Sequence, residues 1–197
     1  MKIYDISQEV FSCAVFPGDP APQRERLMTI QGGAVCNLTA FSMCAHNGTH
    51  IDAPYHFCDD GETVDQLSLS KMVGYAYVAE HDGILTASDA RDILDRAMSI
   101  DKEAAKRILI KGKSTVSLEA AEVFAERGVV LLGNESQTVG PEDAPMAVHL
   151  ALLRVGTVLL EGIRLQDVAE GRYLLNAAPL SLTGADGAPC RAILMEL

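Results

Sequence analysis

The chain has 197 residues, 48% of them hydrophobic and 22% charged. That composition excludes a disordered polymer, and at this length roughly 70% of the chain surface is buried on folding, so the core needs no disulfide or metal staple. Lys and Arg number 16 against 27 Asp and Glu, a formal charge of −11, and a surface so negative repels phosphate backbones and excludes nucleic acid as a partner.

No apolar run approaches the ~20 residues of a membrane-spanning helix. The first ten residues, MKIYDISQEV, carry one Lys and then acidic, strand-like sequence, which is not the pattern of a secretory signal. Short β-type runs, apolar or alternating and bounded by turn residues, are predicted at Lys2–Ile6, Leu38–Ala45, Met72–Ala79, Arg107–Lys111, Val129–Gly133, Thr157–Glu161, Tyr173–Leu182 and Cys190–Leu197. Three helices fall between the later ones. Thr86-Ala-Ser-Asp89 has a capping-box pattern ahead of Ile93, Leu94 and Ala97 at helical spacing. Ser117 caps a second, with Ala120, Val123 and Phe124 as its apolar stripe and Gly128 as its stop. A third runs from about Pro145 to Arg154, with Gly156 just beyond it. No repeat and no long linker divides the chain. The expected architecture is α/β, one domain over residues 1–197 with a mixed sheet and packed helices.

Five cysteines (Cys13, Cys36, Cys44, Cys58, Cys190) make an odd count without a CxxC pair. They read as reduced thiols of a cytoplasmic protein, several packed as small hydrophobes, and their spacing excludes a zinc ribbon.

Three histidines fall within eleven residues, in His46-Asn-Gly-Thr-His50-Ile-Asp52-Ala-Pro54-Tyr-His56-Phe57. His46, His50, Asp52 and His56 share even parity, so an extended chain aims them at one face. Fully extended, His46 and His50 would stand ~13 Å apart, too far to share an ion whose bonds are about 2 Å. Gly48 between them can fold the segment back, and Pro54 stiffens the exit from Asp52. Two imidazoles and a carboxylate around an open position form the ligand set of a hydrolytic metal site, suited to Zn²⁺ and tolerable for Mn²⁺ or Fe²⁺. A lone His near a turn is more often a surface or hydrogen-bonded residue; the density of this constellation is what points to metal. His81 is the control, since Glu80-His81-Asp82-Gly83 reads as a turn that leaves its imidazole exposed and without a role. Farther along, Glu161 ends an apolar strand, where a carboxylate is costly to bury without a cation or a hydrogen-bond partner.

The segment HNGTHIDAPYHF resembles the signature of the cyclase-like metal-dependent hydrolases, approximately His-x-Gly-Thr-His-x-Asp-x-Pro-x-His, a family that includes bacterial arylformamidases and isatin hydrolases. The resemblance spans nearly the whole chain. Phe16-Pro17-Gly18-Asp19-Pro20 is similar to the family's early aromatic-Pro-Gly-Asp segment. His149 and Glu161, twelve residues apart, match the spacing of its distal ligands, and the tail from Leu180 to Ala192 resembles its closing segment. The resemblance implies that His46, His50 and Asp52 hold a first metal ion. It implies that Asp52 bridges to a second ion completed by His149 and Glu161, that His56 donates and accepts the proton, and that Phe16 stacks on an aromatic substrate. Up to two divalent ions per chain are expected, Zn²⁺ first and Mn²⁺ second, in a β/α domain of the swivelling type that forms a homodimer or tetramer. The implied reaction is metal-dependent hydrolysis of a small-molecule amide, foremost an aryl formamide, as in conversion of N-formylkynurenine to kynurenine and formate.

Two departures bear on substrate rather than metal. Phe16 stands where the formamidases carry Trp, and the chain has no Trp at all. Gly133-Asn-Glu135-Ser-Gln-Thr138 replaces an approximate Gly-x-Asp-x-x-Ser. These changes keep open hydrolysis of a cyclic amide, an imide or an isatin-like lactam. A non-catalytic metal-binding protein is the remaining alternative, although it would have no need of His56.

Overall fold

The computed structural model describes residues 1–196. Its first strands are β1 (Lys2–Asp5), β2 (Gln23–Met28), β3 (Leu38–Ser42), β4 (His50–Asp52), β5 (Val73–Glu80) and β6 (Gly83–Leu85). Helix α1 (Ala87–Ile100) follows, then β7 (Arg107–Lys111), β8 (Ser114–Val116), α2 (Leu118–Glu126), β9 (Leu131–Asn134) and α3 (Met146–Leu153). The chain continues through β10 (Val158–Glu161), β11 (Gly171–Asn176), β12 (Gly187–Pro189) and β13 (Ile193–Glu196).

Nine strands join in one sheet, in the order β1-β13-β11-β5-β7-β9-β10-β4-β12. The central β5, β7, β9 and β10 are mutually parallel, and antiparallel strands flank them on both sides. The parallel strands are apolar along most of their length because both faces are covered. Ile108 and Ile110 pack with Phe124 and Leu152 of the helices, whereas Leu109, one residue out of phase, packs with Ile51, Leu131 and Val168 on the other face. The mixed α/β sheet expected from the sequence is therefore present.

Local chemistry fixes the helix starts. Thr86 Oγ1 accepts from Asp89 N at 3.3 Å while Asp89 Oδ2 accepts from Thr86 N at 2.9 Å, closing the capping box ahead of α1. Ser117 Oγ accepts from Ala120 N at 3.2 Å and opens α2.

Several expectations need correction. The run from Tyr173 breaks off at Asn176, ahead of Pro179, whose ring cannot donate to a ladder. The last strand begins at Ile193 instead of Cys190, and Leu197 lies outside the described residues. The hairpin strand β2 has the sequence QRERLM with every residue exposed, so it offers no core face for a pattern to mark. Strands β4 and β12 are three residues each, too short for periodicity. Cys58 and Cys190, partly buried, do pack against the two hydrophobic clusters as expected, whereas Cys36 is exposed. His81 is half-buried, its Nδ1 2.9 Å from Ser114 Oγ, so it joins the β5–β6 turn to β8 instead of pointing freely to solvent.

Candidate metal centre

The site follows from sheet register. β4 lies between β10 and β12, pairing antiparallel with both, so that His50 faces Glu161 and Asp52 faces Leu159 on one side and Gly187 on the other. Side chains two apart on a strand share a face, and directly opposed residues are neighbours. The register therefore brings His50, Asp52 and Glu161 together on the face where Leu159 packs with the helices. His149, on α3, reaches the same point. The parity argument holds for His50 and Asp52 alone, because His46 sits in the preceding turn and His56 ends a single 3₁₀ turn, Pro54–His56. Gly48, at φ +66°, reverses the chain between the two histidines as expected. A Cβ there would lie 2.9 Å from Cys13 Cβ, so the reversal is also closely packed.

His46 Nδ1 lies 2.8 Å from Asp52 Oδ1, and His50 Nε2 lies 3.2 Å from the same oxygen. His149 Nε2 stands 3.3 Å from Glu161 Oε1 and 3.7 Å from Asp52 Oδ2. The donor atoms of His46, His50 and Asp52 lie within 4.8 Å of one another, as do those of Asp52, His149 and Glu161, with Asp52 common to both sets. His50, Asp52, His149 and Glu161 are buried; His46 is partly so.

The tautomers of two rings are set by backbone. His50 Nδ1 donates to Gly48 O at 3.0 Å and His149 Nδ1 donates to Pro145 O at 2.8 Å. Each ring thus presents the lone pair of Nε2 to the cluster, the orientation a metal ligand needs. Asp52 Oδ2 and His50 Nε2 are buried with no hydrogen-bond partner among the described residues, which is costly unless a ligand completes them. Five N and O donors with two unsatisfied atoms fit a divalent cation of the Zn²⁺ or Mn²⁺ class.

Electrostatics agree. Burial would raise the Asp52 carboxyl, but the imidazoles of His46 and His50 outweigh it and hold Asp52 well below the carboxylate range. Burial and the charge of Asp52 push Glu161 upward. Burial would lower His149, yet the Glu161 carboxylate raises it. His46 is lifted to about 11, the pull of Asp186 and Asp52 overcoming its burial. Two facing carboxylates with clustered imidazoles form a set whose protonation a cation would reorganise.

Asp186 was not singled out by sequence reasoning. It sits in the closing segment that resembles the family, just before β12, and its Oδ2 accepts from His46 Nε2 at 2.8 Å and His56 Nδ1 at 3.2 Å. These bonds, His46 first, hold the Asp186 carboxyl well below the ordinary range. His56 stacks on His46 with ring centroids 4.0 Å apart. The donor atoms of His46, His56 and Asp186 also lie within 4.8 Å of one another, but there one carboxylate oxygen already bonds both rings, as in a proton relay. A cavity of about 260 Å³ opens on the cluster, with Phe16, Asp19, Phe57 and Gln137 on its wall beside His56. Glu135, in the departing loop, is structural: its carboxylate accepts from Gly112 N at 2.7 Å and Leu165 N at 2.8 Å.

Fold and site together define an α/β protein whose buried His, Asp and Glu cluster could hold a metal ion at the floor of a cavity, and comparison with known proteins gives its family. The Cyclase family matches residues 4–141, and the chain belongs to it. It is 32% identical to the kynurenine formamidase of Erythrobacter litoralis, over all of this chain and 94% of that protein. It is 34% identical to the kynurenine formamidase of Salinibacter ruber, over all of this chain and 98% of that one. Among solved structures, one described as a predicted metal-dependent hydrolase from Bacillus stearothermophilus superposes with TM-score 0.80 and 26% identity, covering 98% of this chain and 97% of that one. Isatin hydrolase A from Labrenzia aggregata shares the fold, with TM-score 0.81 and 21% identity over 98% of this chain and 93% of that one.

Proposed function

We propose that the protein is a metal-dependent amidohydrolase that cleaves the C–N bond of an aryl formamide, with N-formylkynurenine as the foremost substrate. The carrying observation is the buried cluster of five N and O donors, with two atoms left unpaired, facing a cavity that holds a fourth imidazole, the hydrogen-bonded His56. The full-length similarity to proteins named kynurenine formamidase supports this substrate class. In this reading His46, His50 and Asp52 hold one divalent ion, and Asp52, His149 and Glu161 hold a second. Such an ion supplies water activation at neutral pH and stabilises negative charge on the carbonyl oxygen.

The remaining chemistry falls to the side chains. His56 donates from Nδ1 to Asp186 Oδ2, which leaves Nε2 to take a proton from the attacking water and return it to the departing nitrogen. Water oxygen joins the formyl carbon, the C–N bond breaks, and formate and the aryl amine leave. Phe16 offers its ring to the aryl group. No helix among the described residues is long and apolar enough to cross a membrane. The five free thiols support a reducing, cytoplasmic setting. The whole chain, residues 1–197, serves as one catalytic domain.

A second copy of the chain completes the assembly, as a homodimer or a higher even-numbered oligomer. Phe11, Leu27, Ile30, Leu38 and Phe41, on and around the β2–β3 hairpin, are exposed apolar side chains that such contact would cover. Light scattering should return at least twice the 21.1 kDa chain mass; a monomer at micromolar concentration would contradict it. The test of the activity is a steady-state screen of Zn²⁺- and Mn²⁺-loaded protein on N-formylkynurenine, formanilide, isatin and a cyclic imide. Formate release is expected from the first two substrates. Ring opening of isatin or the imide, with the formamides untouched, would overturn the reading.

A further inference from the structure

Phe16 and Asp19 are the ends of one β-turn. Asp19 N donates to Phe16 O at 3.0 Å. Pro17 sets φ at the second position and Gly18 takes φ +100° at the third, the residue pattern of a type II turn. The turn is tied to the metal motif. The Cys44 thiol donates to Asp19 Oδ2 at 3.6 Å, and Cys44 N donates to Oδ1 of Asn47, the neighbour of His46, at 2.9 Å. Asp19 is thus held where its carboxylate lines the cavity beside the ring of Phe16.

Outside the donor cluster, Asp19 is the one carboxylate lining the cavity, and no Lys or Arg lines it among the described residues. The adjoining hollow, which shares Phe16, Gln137 and Thr138, adds Glu142 and again no Lys or Arg. Among the described residues, the Asp19 carboxylate has no Lys or Arg beside it in the cavity lining and accepts a hydrogen bond from the Cys44 thiol. It attracts a ligand cation and repels a ligand anion.

We infer that Asp19 is a specificity-determining residue that binds a cationic amino group on the aryl formamide, an inference that rests on the formamidase reading above. The aryl ring lies on Phe16 at one end of the turn, and the ammonium group donates to the Asp19 carboxylate at the other. The two recognition elements are therefore spaced by a rigid four-residue unit. Asp19 takes no part in bond cleavage, so its contribution appears in KM and not in kcat.

The experiment compares N-formylkynurenine with the same molecule lacking its α-amino group, on Zn²⁺-loaded wild type and Asp19→Asn. Asparagine keeps the shape and removes the charge. The wild type should prefer the ammonium-bearing substrate, and Asp19→Asn should shrink the ratio of the two kcat/KM values by about tenfold or more, through KM, the weight of one charge-assisted hydrogen bond. A ratio that does not move, or a loss carried by kcat on both substrates alike, would overturn the assignment of Asp19 while leaving the formamidase reading intact. Wild-type enzyme that hydrolyses neither compound would reject that reading and this inference with it.

Discussion

His50, Asp52, His149 and Glu161, at the floor of the cavity, are buried, whereas Phe16, Asp19 and His56 around its wall, and Asp186 bonded behind His56, are half-buried. The floor is fixed by secondary structure: three residues stand on paired strands, the fourth on a helix, and both buried rings are locked to backbone carbonyls. The wall is built from turns and loops, its side chains held by bonds to one another. The difference separates two tasks. A charged cluster placed on rigid elements out of water is organised for an ion, and a change there leaves an uncompensated buried charge. A loop-built wall can alter its chemistry, as with Phe16, without disturbing that cluster.

If this division is right, the largest effect comes from the floor. Asp52→Ala removes the carboxylate shared by both donor sets, so metal affinity should fall by more than about 100-fold, beyond what an outer-shell partner is worth, and activity should vanish with it. Metal analysis of the purified variant checks this. Next in size is His56→Ala on the wall, which should keep near-normal metal content while turnover drops by ~10²–10⁴-fold, the usual share of general acid–base catalysis. Metal loss from His56→Ala, with Asp52→Ala still loaded, would reverse the two regions.

Asp186→Asn probes the seam between them, because one oxygen bonds both His46 and His56. A cost of about 10- to 100-fold, divided between metal affinity and turnover, is expected. In the His56→Ala background most of the turnover part should disappear, since the ring that Asp186 orients is gone. Equal losses in both backgrounds would show that Asp186 acts apart from His56.

The smallest effect comes from a surface ion pair outside the cavity lining. Arg191 Nε donates to Asp5 Oδ2 at 2.9 Å and holds the Asp5 carboxyl below its ordinary range. Because that pKa is lowered on folding, the pair stabilises above the ordinary carboxylate range and the contribution fades as pH falls through the lowered value. Arg191→Ala should therefore reduce Tm slightly at neutral pH, with the difference from wild type closing in acid and activity little changed. Thermal melts across pH check it.

The two regions were also unequally legible in the sequence. His46, His50, Asp52 and His56 stood out because the residues and bends of one short segment carry most of the geometry. The central strands were equally plain, since burial on both faces leaves an apolar run such as Arg107–Lys111, predicted and observed with the same ends. Asp186 was not read as a site residue: its partners lie 130 and 140 positions away, and only the placement of β12 beside β4 joins them. The strand character of β4 was hidden by its length and by His and Asp at two of its three positions, residues that report the site more than the sheet. Asp19 needed the cavity to give it meaning. In sequence it reads only as part of the segment that resembles the family's early aromatic-Pro-Gly-Asp run.

Residues distant in sequence are brought together in one buried cluster suited to divalent cations. Calorimetric titration of Zn²⁺ into metal-stripped wild-type protein, with Asp52→Ala alongside, tests that claim most directly. Saturable uptake of about one to two ions per chain, accompanied by proton release and abolished in the variant, is the predicted result. No saturable uptake by the wild type, or equal uptake by both proteins, would contradict it.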